Sequence, residues 1–410
     1  SQDGYVYAWG QNNMGQLGVG DTNNAAAPKK VRIGAQPKTE PESTYLHDIV
    51  AIAAGYDFGL ALDKDGYVYA WGNDDRGQLG DSGNVRGNGA LNRTTPVRVV
   101  NGTAVGPNTA HDPANYLSHI VAIDAADGHA VALRSNGTVV TWGRNEEGQL
   151  GIGEKTNNIA DKYHIPVPMQ VKRGANDVVG SATDFRALAS DGTVSGKGEY
   201  FQGAMTITAG GSYSGNTNTP GFTMVLTLDN DGTNTEKIWG FGNNTYGQLG
   251  RSAAEVASTA VPILSLDVDS GNASNVILTR SAQEGVADVT DTLKTQNERV
   301  VQMDAGAGHV LLRTVQTDLA YGPVGSDIIA DWRNKPNIDL AYAMGRGSEG
   351  AIGDEILENS AIPVRVAKGY YEQHNSAYSW LTGIYDVSTN YFHNLTLDLY
   401  YNNETGSVSG

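Results

Sequence analysis

Residues Asp65–Gly80 read DGYVYAWGNDDRGQLG, and nearly the same string stands at Asp3–Gly18 (DGYVYAWGQNNMGQLG) and at Asn136–Gly151 (NGTVVTWGRNEEGQLG). In each copy a glycine (Gly4, Gly66, Gly137) lies five residues before a tryptophan (Trp9, Trp71, Trp142), and a second glycine (Gly15, Gly77, Gly148) lies six residues after it. The same spacing finds weaker copies around Lys197 (Gly192, Gly203), Phe241 (Gly247) and Met344 (Gly350). An Asp-Gly or Asn-Gly pair between β-rich runs supplies the positive φ of a hairpin. Asp65-Gly66 and Asn136-Gly137 therefore read as turns. The alternation Tyr67, Val68, Tyr69, Ala70, Trp71 reads as a strand with Val68 and Ala70 on one face and the aromatics on the other. Upstream, Ile49–Asp63 and Ile120–Arg134 are paired short apolar runs, and the downstream Pro-x-x-Val at Pro28–Val31 and Pro96–Val99 suits an outer strand, where a missing N–H is tolerated.

A small sheet of this kind cannot bury both faces alone, so tandem copies must stack, and radial closure yields a propeller. The expectation is an all-β fold: a β-propeller of six to seven four-stranded blades. The chain opens at a turn and third strand, whereas Gly383–Asp398 supplies a first and second strand, so N- and C-terminal strands are expected to share one blade. Residues 1–410 are read as one propeller domain, with insertions near 34–48, 101–119, 267–298 and 315–337 on its rims. A seventh hairpin could lie at Val276–Thr279 and Val286–Val289.

These residues resemble the repeats of the regulator of chromosome condensation family, of a bacterial or archaeal extracellular type. The family signature joins an Ala-Gly-x-x-His entry, a small-residue hairpin, a Trp-Gly and the Gly-Gln-Leu-Gly turn. The resemblance implies a propeller, commonly of seven blades, and places nucleotide exchange on a small GTPase among the functions to weigh. The chain departs from the pattern at Lys197, which stands where the other copies have an aromatic or Met.

Composition narrows the function. A formal charge of −17 over 410 residues, with no basic run, argues against nucleic acid as partner. No stretch approaches the roughly 20 apolar residues of a membrane span, so no membrane insertion is expected. No basic, apolar leader is legible at the start. The absence of cysteine removes disulfides, thiolate metal sites and thiol nucleophiles. With abundant Asn, Thr and Tyr, it points to an extracellular or cell-surface location.

His129, His309 and His393 invite a metal or acid–base reading, but all three occupy one entry position of separate copies, with Phe58 and Asp184 there in others, which favours packing. The repeat tryptophans are likewise read as core residues, while Trp332 and Trp380 fall outside the pattern as candidates for exposed contact. Asp229, Asp231, Asn234 and Glu236 offer oxygen ligands for calcium, without the spacing of the helical calcium loop. Leu266–Asn272 is a second acidic stretch. Gly211–Gly215 matches Gly-x-Ser-x-Gly but lacks the strand-to-helix setting of a nucleophile elbow. Asn-x-Ser/Thr sequons at Asn92, Asn101, Asn136, Asn243, Asn272, Asn394 and Asn403 are what an Asn-rich chain produces by chance. No catalytic, cofactor-binding or metal residue is assigned, and no cofactor is expected. The reading is a non-enzymatic module that binds a protein partner or assembles with itself through its rim loops. The alternatives are a guanine-nucleotide exchange regulator and a carboxylate-based enzyme in the funnel.

Overall fold

The computed structural model describes residues 4–34, 44–82, 92–102, 116–153, 164–172, 200, 203–214, 217–228, 236–249, 257–264, 298–316, 340–353, 357–366, 384–389, 394–398, 400–402 and 407–409. Among them every regular element is a β-strand. The chain forms two compact units: Ser1–Thr227 with Trp239–Asn243 and Val256–Val261, and Leu228–Ile238 with Asn244–Glu255 and Pro262–Gly410.

The first sheet pairs β1 (Tyr7–Gly10) with β2 (Ala25–Lys30). The second is an antiparallel meander of β3 (Ile49–Ala54), β4 (Phe58–Asp63), β5 (Val68–Gly72) and β6 (Arg93–Arg98). The third repeats it with β7 (Ile120–Ala126), β8 (His129–Arg134), β9 (Val139–Arg144) and β10 (His164–Gln170). The fourth does so with β11 (Ala204–Ser214), β12 (Thr217–Leu228), β13 (Glu236–Gly242) and β14 (Ala257–Leu264). In the second unit, β15 (Glu298–Ala305), β16 (His309–Gln316), β17 (Leu340–Gly345) and β18 (Ser360–Arg365) form another four-stranded sheet. Two two-stranded sheets follow: β19 (Ile384–Thr389) with β20 (Asn394–Asp398), and β21 (Tyr400–Asn402) with β22 (Ser407–Ser409). Pro28 and Pro96 lie in the outer strands β2 and β6, as the sequence led us to expect, and Pro166 lies in the outer strand β10.

Alternation along β5 sends its two faces into two different cores. Tyr69 and Trp71 pack with Val6, Val31 and Leu46 of the first copy, while Val68 and Ala70 join Leu79, Val99 and Leu117 against Ala130, Ala132, Val140 and Trp142 of the third sheet. The next seam joins Val131, Leu133 and Val139 to Ala204, Ile207, Val225 and Phe241. Each sheet is thus a two-sided slab, and successive copies stack within the first unit.

Glycine does specific work at the end of the third strand. Gly10, Gly72, Gly143, Gly242 and Gly345 all sit between φ 101° and 108°. A Cβ on Gly143 would lie 2.4 Å from the Gly128 carbonyl oxygen, and one on Gly345 2.4 Å from that of Gly308, so no other residue fits. The hairpin at Asp65-Gly66 has positive φ at Gly66 alone (84°), with Gly66 N–H donating to the Asp63 carbonyl at 3.1 Å and Asp63 N–H to that of Tyr67 at 3.0 Å. This is a type I turn ending in a glycine bulge.

The Gly-Gln-Leu-Gly turn is held from inside by a buried side chain. Asn12, Asp74, Asn145 and Asn244 accept the amide of the turn leucine (Leu17, Leu79, Leu150, Leu249) at 2.8–3.1 Å. The turn glutamine does the complementary task. The Oε1 atoms of Gln16, Gln78, Gln149 and Gln248 accept the amides of Met14, Arg76, Glu147 and Tyr246.

Of the readings made from sequence, the copy around Lys197, the hairpin at 276–289, the calcium residues Asp229, Asp231 and Asn234, the stretch 266–272, Trp332, Trp380 and His393 lie outside the described residues, as do most of the insertions.

Candidate functional site: the loop rim and the seams beneath it

The main-chain carbonyls of the turn glutamines Gln16, Gln78 and Gln149 lie in seams between copies, and each of these three seams supplies a donor. Trp71 Nε1–H donates to the Gln16 carbonyl at 2.9 Å and Trp142 Nε1–H to that of Gln78 at 2.9 Å. In the next seam the aromatic is Phe241, which has no donor. There Thr223 Oγ1–H reaches the Gln149 carbonyl at 2.9 Å, and the same hydroxyl lies 3.0 Å from His129 Nε2. The second unit builds the same relay with an amide: Asn394 Nδ2–H donates to the Ala351 carbonyl at 2.6 Å, and Asn394 Oδ1 sits 2.7 Å from His309 Nε2. Burial holds the His129 imidazole down near 3, with the Arg144 charge adding to the effect, so it is neutral at physiological pH. Both histidines are fully buried and bonded across a seam, in agreement with a packing role.

The reading of every repeat tryptophan as core fails at Trp9. Trp71 and Trp142 are 4% and 0% exposed, Trp9 62%. Trp71 is covered by the Gln16–Gly18 turn and Trp142 by the Gln78–Gly80 turn.

Above the seam between the second and third sheets, the loops carry a connected set of charges. Arg144 pairs with Asp127 and, through Nη2, with Glu146 at 2.6 Å; Arg76 from the neighbouring loop reaches Glu146 Oε1 at 2.7 Å. Asn73 Nδ2–H donates to Asp57 Oδ2 at 2.6 Å, and Tyr56, 63% exposed, stands beside them with its amide on the Asp127 carbonyl. Burial raises the Asp127 carboxyl against the pull of Arg144, and raises Asp57 against its bond from Asn73. Burial works the same way on Glu146, but the Arg144 and Arg76 charges prevail and hold it below its ordinary value. Both arginines are therefore engaged with carboxylates within the protein. What they leave at the surface is a fixed polar rim around an exposed tyrosine. Among the described residues no group of three or more His, Asp or Glu is placed to hold a metal, and no helix is long and apolar enough to cross a membrane. Gly211–Ser214 belongs to strand β11, paired with β12, which is not a nucleophile elbow.

The glutamine-carbonyl relay and the buried bracket at Asn12 were missed by sequence reasoning. The signal was present: Asn or Asp stands three residues before the turn glycine in four copies, and Thr223 appears where Trp gives way to Phe241.

Comparison with known proteins agrees with the repeat. A model described as the regulator of chromosome condensation (RCC1) repeat matches residues 3–62, 65–133 and 136–183, and a second of the same description matches 49–78 and 120–149. The chain is 29% identical over 197 residues to the ultraviolet-B receptor UVR8 of Arabidopsis thaliana, covering 47% of this chain and 37% of the receptor. It is 29% identical over 182 residues to the E3 ubiquitin-protein ligase HERC2 of Homo sapiens, covering 44% of this chain and 3% of the ligase. The match thus spans well under two thirds of either relative. Among solved structures, human WBSCR16 aligns at a TM-score of 0.46 and 15% identity over 96% of this chain and 81% of that one. Prp20p of Saccharomyces cerevisiae, described with binding properties to Gsp1p and histones, aligns at 0.36 and 16% over 97% and 92%. Three consecutive copies between residues 3 and 183 thus match the regulator of chromosome condensation repeat, and this part of the chain is built from repeats of that kind.

Proposed function

We propose that the chain is a non-enzymatic protein-interaction module that presents its loop rim to a partner protein. One observation carries this reading: the rim charges Asp127, Arg144, Glu146 and Arg76 fix one another across two copies while Tyr56 stays exposed among them. Such a surface loses little side-chain freedom when a partner docks, and tyrosine is a residue that interfaces favour. The test is affinity capture with the whole chain beside a rim variant, Tyr56→Ala with Arg76→Ala. Partners held by the wild type and lost by the variant support the reading; identical capture by both defeats it.

The repeat match favours a second reading equally, a guanine-nucleotide exchange regulator. A nucleotide-release assay separates the two, since acceleration with a small GTPase would move the function to exchange. The architecture proposed with either is a ring of six to seven blades, closed by one blade that β1–β2 and β19–β20 complete together. Electron microscopy counts the blades directly. A position outside the cell and a preference for protein over polyanion rest on composition, the absence of cysteine and the charge of −17. Cell fractionation and a nucleic-acid mobility-shift assay test them.

A further inference from the structure

The second and third sheets place polar side chains at matching positions of one row, with the charges arranged differently. In the second sheet, Arg98 on β6 and Tyr69 on β5 are register partners, and Arg98 Nε–H donates to Tyr69 Oη at 3.1 Å. Asp63, at the end of β4, accepts the amides of Asp65 and Tyr67 at 3.0 and 2.9 Å and shares a hydrogen bond with the Tyr69 hydroxyl. One acid and one base share the row.

The third sheet puts Arg134, Val140 and Gln170 at those positions. A cation has replaced the acid, and a neutral amide has replaced the base. Arg134 follows Ala130 and Ala132 on one face of β8, and those alanines, with Val140, belong to the apolar seam that includes Val99 and Leu117. Arg134 and Gln170 are each only 6% exposed. The turn no longer needs residue 134, because Asn136 Oδ1 accepts both the amide and the hydroxyl of Thr138. Arg134 Nη2–H reaches Asn101 Oδ1 at 3.1 Å, a neutral acceptor. Arg134 Nε and Gln170 Nε2 make no hydrogen bond. A guanidinium stays protonated at any physiological pH, and a buried cation with unmade donors is costly unless something negative compensates it. An ion is one of the standard explanations of buried donors left unmade.

We propose that Arg134 and Gln170, flanking Val140 on one face of the third sheet, hold a small inorganic anion of chloride size. The experiment is chloride-35 NMR line broadening by the full chain, with melting temperature followed as chloride replaces gluconate at constant ionic strength. Chloride should broaden the line and raise the melting temperature. Nitrate, another small monovalent anion, should compete, and the larger, more highly charged phosphate should not. Gln170→Leu and Arg134→Met should weaken binding by about tenfold or more, the loss expected when a hydrogen bond to a charged group is removed. The double change Arg134→Asp with Gln170→Arg puts the second sheet's acid and base at these two positions and should abolish the chloride dependence while the chain stays folded. If Arg134→Met does not fold, Gln170→Leu carries the test alone. Broadening absent from the wild type, or unchanged in Gln170→Leu, overturns the proposal, and so does stabilisation by phosphate alone.

Discussion

The turns that close the second and third sheets are built alike and completed differently. Over the second, Trp142 covers the turn and caps the Gln78 carbonyl, and the bracket inside is Asp74. Over the third, Phe241 covers the turn, Thr223 caps the Gln149 carbonyl, and the bracket is Asn145. The comparison teaches that the repeat preserves an apolar lid and a filled carbonyl as two separate requirements. Tryptophan meets both with one side chain, whereas phenylalanine needs a hydroxyl from the neighbouring strand. Position 130, the counterpart of Thr223, is alanine where tryptophan supplies the donor.

The sharpest way to break this comparison is Trp142→Ala, which removes lid and donor together and should cost about 3–5 kcal/mol, read by denaturant unfolding. Next in size comes the bracket. Burial, reinforced by the Asp81 charge, pushes Asp74 up to about 7, so its folded value stands above the unfolded one. The contribution is therefore neutral below about pH 4 and turns unfavourable as the pH rises, reaching about 4 kcal/mol above pH 7 as an upper bound. Asp74→Asn, matching Asn145, should recover much of that at pH 8 and nothing at pH 4; equal melting shifts at both pH values would contradict the assignment. Thr223→Val keeps the shape but strips the Gln149 carbonyl and His129 Nε2 of their shared partner, for a loss of about 1–3 kcal/mol. The finest cut is a rescue. Trp142→Phe should cost about 1–2 kcal/mol, and adding Ala130→Thr should return about 1 kcal/mol of it. Additivity of the two changes would show that the hydroxyl does not take over the tryptophan's task.

Much of this was legible in the residues. The glycine–tryptophan spacing gave the strand order of the second and third sheets, the outer position of Pro96 and the packing role of His129. Those features are local, or follow from any stacking of two-sided sheets. What stayed hidden depends on partners far along the chain. Gln78 and Trp142 stand 64 residues apart, and Gln149 and Thr223 74 apart. No window of sequence shows that a main-chain carbonyl waits at one end. The exposure of Trp9 was hidden because its side chain matches the pattern, while the burial of Trp71 and Trp142 comes from turns far along the chain. The rim pairing of Arg76 with Glu146 also joins adjacent copies, so charge counting could not find it.

The prolines of the outer strands have a consequence for how this protein can be gripped. Pro28, Pro96 and Pro166 each delete an amide from the last strand of a sheet, so a visiting peptide laid alongside would meet an interrupted hydrogen-bonding ladder. Strand-by-strand addition, the route by which sheet proteins cross-link into fibres, is blunted at the periphery of the first three sheets. A partner must instead recognise side chains.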